Sequence, residues 1–250
     1  MIEVKQLSKS FGYVTAVNNV STTYNSGIIN MVIGRSGSGK TVLLKCVAGL
    51  LSPDQGDILY NGRSVSSMQN SFKKQLRQEV GMLFQNSALF DSMTVIENVR
   101  FPLDMFSDMN ESERTKRAQF CLERVGLRDI DKKLPGELSG GMQKRTAIAR
   151  AIALNPKYLF CDEPNSGLDP VTARVIDRLI HDITKEFDIT TIINTHDMSS
   201  VRSIGDHILF LNDGKASWEG TKQQLATDIL SNKLLGEFIA ASVTDITSVV

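Results

Sequence analysis

The stretch IINMVIGRSGSGKTVLLKCVAGL, residues 28–50, decides the fold. Its first six residues are apolar enough for a strand buried on both faces, and a helix follows from about Lys40 to Leu50. Between them, GRSGSGKT (34–41) fits the spacing G-x-x-x-x-G-K-[ST] in the strand–loop–helix context which that spacing requires. Glycines let backbone N–H groups close around phosphate oxygens, and the helix start adds favourable partial charge. Lys40 is expected at the β- and γ-phosphates of ATP, and Thr41 at Mg²⁺. Gly34, Arg35, Ser36, Gly37, Ser38 and Gly39 form the rest of the cradle.

Outward from this loop, residues 2–7 and 17–24 read as strands. SPDQG (52–56) reads as a turn, ILY (58–60) as a strand and VGMLF (80–84) as a second buried strand. From about 87 to 155 the pattern turns helical and charged, as in ESERTKRAQFCLERVGL (111–127), with no convincing strand. YLFCD (158–162), TTIIN (190–194), HILFL (207–211) and a strand near 215–219 resume the sheet. Asp169-Pro170 caps a helix whose Val171, Val175, Ile176, Leu179, Ile180, Ile183 and Phe187 fall at helical spacing, predicting one core-facing stripe. Strands alternating with helices predict an α/β fold with a mostly parallel sheet.

YLFCDEP brings Asp162 and Glu163 to the C-terminal end of a buried strand, where open α/β sheets bind ligands. Asp162 is expected to hold Mg²⁺ and Glu163 to polarise the attacking water. LSGGMQKR (138–145) starts another helix, reaching to about Leu154, with Ser139 as cap and Gly140 and Gly141 baring its first N–H groups. One ATP needs one phosphate loop, so a second phosphate-binding helix end in the same chain predicts use in trans, by a second copy.

Lys+Arg and Asp+Glu both number 28, so no net basic field recruits nucleic acid. Cys46, Cys121 and Cys161 are odd in number and far apart, which reads as reduced thiols rather than a metal site or disulfides. MIEVKQLSKS has no apolar signal stretch, and no run approaches the ~18–20 residues of a membrane span. At a membrane, another chain must do the crossing.

Taken in order, the phosphate loop, Gln85, LSGGM, YLFCDE, NSGLD (165–169) and His196 resemble the nucleotide-binding subunits of ABC-type ATPases over nearly the whole chain. The resemblance implies a P-loop NTPase with an N-terminal antiparallel β part. The ATP-binding core would be 1–86 and 156–220, the helical subdomain 87–155 and a tail 221–250. It also implies a homodimer in which Gln85 senses Mg²⁺ and water, Asp169 crosses the interface and His196 contacts the γ-phosphate. Phe11 matches the aromatic that stacks on adenine in that family, with Tyr13 a second candidate.

Within the family, RSGSGKTVLLK (35–45) and LFQNSALFDSMTVIENVRFPL (83–103) resemble the ATPases of MCE/Mla-type phospholipid transporters. This implies a peripheral subunit on the cytoplasmic face of the inner membrane, under an integral-membrane permease, with an MCE-domain protein and a small STAS-type subunit as further partners. An importer or exporter of another cargo, such as polar amino acids, or a non-transport ABC ATPase are the alternatives. In the tail, Leu230, Leu234, Leu235, Phe238 and Ile239 share a helical face expected either to dock on the chain's own core or to clasp the partner ATPase or a regulatory subunit, followed by a strand or loose arm at 242–250.

Overall fold

The computed structural model describes residues 1–244. The chain opens with the hairpin β1 (Ile2–Phe11) and β2 (Val14–Tyr24), then lays down β3 (Ile29–Ile33) and the helix α1 (Lys40–Val47). β4 (Gln55–Tyr60) and β5 (Arg63–Ser64) return to the hairpin and complete an antiparallel sheet in the order β2-β1-β4-β5. α2 (Asn70–Gln78) leads to β6 (Val80–Leu83). Three helices follow, α3 (Val95–Phe106), α4 (Glu111–Arg124) and α5 (Gly140–Ala151), with a short 3-10 turn at Pro135–Glu137.

β7 (Tyr158–Asp162), α6 (Pro170–Glu186), β8 (Thr190–Thr195), α7 (Met198–Ile204), β9 (His207–Asn212) and β10 (Lys215–Thr221) finish a second sheet, ordered β10-β9-β3-β8-β7-β6. Its strands are parallel except β10, which runs against β9. α8 (Lys222–Asp228) and α9 (Lys233–Thr244) close the described chain.

All five residues of β3 are buried because each face of the parallel sheet has its own apolar layer. Ile29, Met31 and Ile33 join a cluster with Val99 of α3, Ile148 of α5 and Ile176 and Ile180 of α6. Val32 points the other way, to Leu43, Leu44 and Val47 of α1 and to Ile2, Val4 and Leu7 of β1. The helix behind the phosphate loop is therefore clamped between two sheets.

The first hairpin is longer than its apolar pattern suggests. Gln6 sits at φ 48° and the pairing of β1 with β2 shifts register between Val4 and Leu7, which breaks the two-residue period. α6 buries Ile176, Ile180 and Ile183, but Val171 and Val175 are 64% and 50% exposed, and Phe187 is at the margin. Position 175 lies about 100° around the helix from 176, and the core-facing arc instead takes Asp177 and Thr184.

Of the two placements expected for the tail helix, α9 takes docking on the chain's own core. Leu235, Phe238 and Ile239 are buried on the chain's own core, and Phe238 stacks on Phe210 of β9 with centroids 5.1 Å apart. Leu230 and Leu234 are exposed, so the predicted apolar face is only partly used. The helix itself runs to Thr244, and the rest of the expected arm lies outside the described residues.

Candidate active site

Gly39 shows why the phosphate loop is glycine-rich: at φ 99°, a Cβ there would lie 2.2 Å from the Ala16 carbonyl oxygen. The loop is also tied down from outside. Gly214 N–H, in the β9–β10 turn, donates to Ser38 O at 3.1 Å, and Asn18 N–H of β2 donates to Gly214 O at 2.8 Å. Lys40 is 5% exposed and its Nζ donates to Gly34 O (2.8 Å) and Arg35 O (3.0 Å). Burial lowers the Lys40 pKa, while the charges of Glu163 and Asp162 oppose that shift. Ser38 Oγ is buried without a hydrogen-bond partner among the described residues. An orphaned hydroxyl beside an ammonium held only by carbonyls suits an anion, because a charged acceptor is the stronger partner for both.

Across the cleft, Asp162 Oδ1 accepts from Thr41 Oγ1 (3.0 Å) and from Asn194 Nδ2 (3.1 Å). A hydroxyl and a carboxylate oxygen side by side form a hard-oxygen donor set that fits Mg²⁺. No group of three or more His, Cys, Asp or Glu among the described residues forms a cage of its own. Mg²⁺ usually keeps waters and shares its coordination with substrate phosphates, so few protein oxygens suffice for it.

Glu163 follows at φ 47°, a conformation costly for a side chain of this kind and held by its surroundings. Its N–H donates to Asn194 O at 3.0 Å. Gln85 Nε2 donates to Glu163 Oε2 (3.3 Å) and to Ser166 Oγ (3.2 Å), and His196 Nδ1 lies 3.3 Å from Glu163 Oε1. One carboxylate is thus contacted from both sides. The cleft that Glu163, Ser166 and His196 border, about 630 Å³, also takes in Arg35, Ser36 and, from α9, Phe238 and Ala241.

Two cations from α5 hold the Gln85 loop, and sequence reading missed both. Buried Lys144 donates to Gln85 O, and Arg150 donates to Ser87 O and Ala88 O, each at 2.8 Å. Ser87 and Ala88 have φ of 61° and 48°, so these contacts secure a backbone that would not hold alone. Asn194 was missed too. No motif marks any of the three, although Lys144 follows the LSGGM motif by two residues.

Ser139 caps α5, its Oγ accepting from Met142 N–H at 3.3 Å. Ser139 and Gly140 are exposed and do not line the cleft of Glu163 and His196. Gly141 has no room for a side chain, since its Cβ would lie 2.6 Å from Thr172 Cγ2. Asp169 caps α6, accepting from Val171 N–H (2.9 Å) and Thr172 N–H (3.0 Å). Hydrogen bonds from the Thr172 side chain and backbone hold its carboxyl below the usual range. Phe11 is 49% exposed and Tyr13 fully exposed at the hairpin tip, with Lys9 Nζ 5.5 Å from the Phe11 ring centroid. The structure therefore gathers Lys40, Thr41, Asp162, Glu163, Gln85 and His196 in a chain of contacts, and leaves Ser139–Gly141 apart.

A phosphate loop, a strand-end acid pair and a detached glycine helix start on this two-sheet fold define an ATP-hydrolysing cassette. The chain belongs to the ABC transporter family, whose model matches residues 17–166. It is the ATP-binding subunit of an ABC transporter and an ATPase. It is 39% identical over 225 residues to the intermembrane phospholipid transport system ATP-binding protein MlaF of Haemophilus influenzae, covering 90% of this chain and 85% of that one. It is 38% identical over 242 residues to the methionine import ATP-binding protein MetN of Clostridioides difficile, covering 95% and 74%. Among solved structures, the dimeric bacterial ABC transporter cassette MJ0796 matches with a TM-score of 0.81 at 31% identity, over 88% of this chain and 98% of that one.

Proposed function

We propose that this ATPase drives a phospholipid transporter of the Mla type. The observation that carries the reading is the likeness to MlaF across 85% of that protein's length. A surface feature supports it. Phe90 and Phe101 pack with centroids 4.7 Å apart beside an open apolar groove of about 420 Å³, lined also by Met82, Phe84, Pro102 and Leu154. Phe84, Ala88, Phe90, Phe101 and Pro102 of its lining belong to the 83–103 stretch, and the groove suits an apolar helix of a permease. No helix among the described residues is long and apolar enough to cross a membrane, so the permease is a separate chain in this reading. The ATPase would sit at the cytoplasmic face as a homodimer, with an MCE-domain protein and a STAS-type subunit in the assembly.

In the proposed mechanism, Phe11 stacks on the adenine and the loop from Gly34 to Thr41 wraps the phosphates. Lys40 exchanges its carbonyl partners for phosphate oxygens. Thr41 and Asp162 would hold Mg²⁺, with Gln85 as a further candidate, and the cation would supply charge neutralisation on the phosphates. Glu163 accepts a hydrogen bond from the attacking water and His196 faces the γ-phosphate. Ser139, Gly140 and Gly141 of a second copy close the site, and Asp169 lies at the seam.

A methionine importer is the second reading, because the likeness to MetN is nearly as high over 95% of this chain. Purification with the permease separates the two. The lipid reading expects phospholipid in organic extracts of the complex and turnover that changes when phospholipid is withdrawn. Lipid-independent turnover that rises with methionine would favour the importer.

A further inference from the structure

The loop carrying Glu163 and the loop carrying His196 are joined beneath the cleft by a polar bridge that no nucleotide group touches in the mechanism above. Asp177 stands in the middle of α6, 3% exposed, among isoleucines. Asn165, two residues beyond Glu163, donates through Nδ2 to Asp177 Oδ1 at 2.7 Å and to Ser200 Oγ at 3.0 Å. Ser200 is 2% exposed, and its hydroxyl donates to Asp197 Oδ2 at 3.3 Å. Asp197, next to His196, caps α7 by accepting from Ser199 N–H at 2.7 Å.

A carboxylate inside a helix's apolar face is expensive without donors. Burial and the neighbouring Asp197 charge raise the Asp177 pKa, and the hydrogen bond from Asn165 works against that rise. The Asn165 amide has one workable orientation. Turned over, it would present its oxygen to the Asp177 carboxylate and lose both donated bonds, even though Oδ1 as it stands is buried without a partner. The bridge therefore fixes the side chain two residues past Glu163 to a rigid helix, and the same contact reaches the residue after His196.

We propose that Asn165, Asp177 and Ser200 are positioning residues for hydrolysis, holding the Glu163 and His196 loops in register with each other. The proposal rests on the roles assigned above to Glu163 and His196. Adenine and most phosphate contacts come from elsewhere in the chain, so loss of the bridge should act on kcat and spare ATP affinity.

The test compares Asn165→Ala, Asp177→Ala, the double variant and Asp177→Asn in the full-length chain. ATPase kinetics are measured below the onset of each variant's thermal unfolding, with Glu163→Gln alongside. Either alanine variant should lose about 10–100-fold in kcat, the scale of a misplacement near 1 Å, with KM for ATP within about twofold. The double variant should fall no further than the worse single one, because both cut one bridge. Asp177→Asn keeps an oxygen acceptor for the Asn165 amide and should retain kcat within about threefold.

Multiplied losses in the double variant, a rise in KM with kcat intact, or kcat within twofold in Asn165→Ala would overturn the proposal. Asn165 lines the cleft rim, so its variant carries the test even if Asp177→Ala fails to fold. If Glu163→Gln turned over normally, the reading of Glu163 would fall. An inactive Glu163→Gln beside an active Asn165→Ala would sink the bridge alone.

Discussion

Two helices in this chain start in ways that suit a phosphate, and they differ in almost everything else. α1 begins at Lys40 inside a clamp of two sheets, with Gly39 against a carbonyl and Ser38 Oγ buried without a partner. α5 begins at Gly140 in the open, its cap already satisfied by Met142 N–H and its glycines away from the cleft of Glu163. The N-terminal partial charge is the same physics in both. One start carries a buried hydroxyl and an ammonium that suit an anion, and the other does not. The lesson is that a phosphate-binding pattern does not say whose phosphate it binds; the surroundings of the helix start do.

Removing the carboxylate across the cleft from α1 that is proposed to face the attacking water should have the largest effect. Glu163→Gln is expected to retain ATP binding and lose roughly 10²–10⁴ in turnover, the scale of acid–base assistance. Rapid-quench hydrolysis together with nucleotide binding checks it, and near-normal turnover would leave the enclosed half of the comparison without its chemistry.

Next come the two helix starts themselves. Lys40→Ala should damage phosphate binding or hydrolysis in its own chain. Ser139→Arg should spare binding in the isolated chain and lower turnover by about 10²–10³, as loss of a transition-state donor does. Mixed, the two variants would form one site with native Lys40 and native Ser139 from different copies. Partial recovery of activity on mixing would establish that the exposed start serves a neighbour. Absence of recovery would break the comparison or require strict coupling between sites.

A smaller effect is expected at the hairpin tip. Phe11→Ala should weaken ATP and GTP alike by about 1–3 kcal/mol, since stacking reads no base edge. Calorimetric titration decides, and an unchanged affinity would bring Tyr13 forward. Leu235→Ala, buried on α9 and away from the cleft lining, lies outside both helix starts and serves as the contrast. It should leave nucleotide affinity alone and cost about 3 kcal/mol of stability, lowering Tm by roughly 6–12 °C. A melting curve that does not move would mean that the docked α9 contributes little to the core.

The parallel sheet was legible because its strands are short and rich in apolar residues, as IINMVI and YLFCD show. The phosphate loop and acid pair were legible because their residue types are dictated by contacts with a ligand. α2 escaped notice because SFKKQLRQ has almost no apolar face, and β5 because two residues make no pattern. Lys144, Arg150 and Asn194 were missed for a different reason. Each acts on backbone or carboxylate far away in sequence, so nothing next to them in the chain announces their partners. Asp177 was passed over inside an apolar stripe, where its neighbours at helical spacing argued for packing alone. Docking of α9 required knowing that Phe210 offered a surface.

The ties around Ser38 carry one more consequence. Through Gly214 they link the phosphate loop to the β9–β10 turn and to β2, strands of two different sheets. Any ligand that stiffens the loop also stiffens this junction, and its binding free energy adds to the stability of both sheets, about 2.7 kcal/mol at a hundredfold excess over Kd. The amides of Gly214 and Asn18 are therefore natural reporters. Their hydrogen-exchange rates should slow on nucleotide loading and recover on release, giving a clock for occupancy that requires no label on the nucleotide.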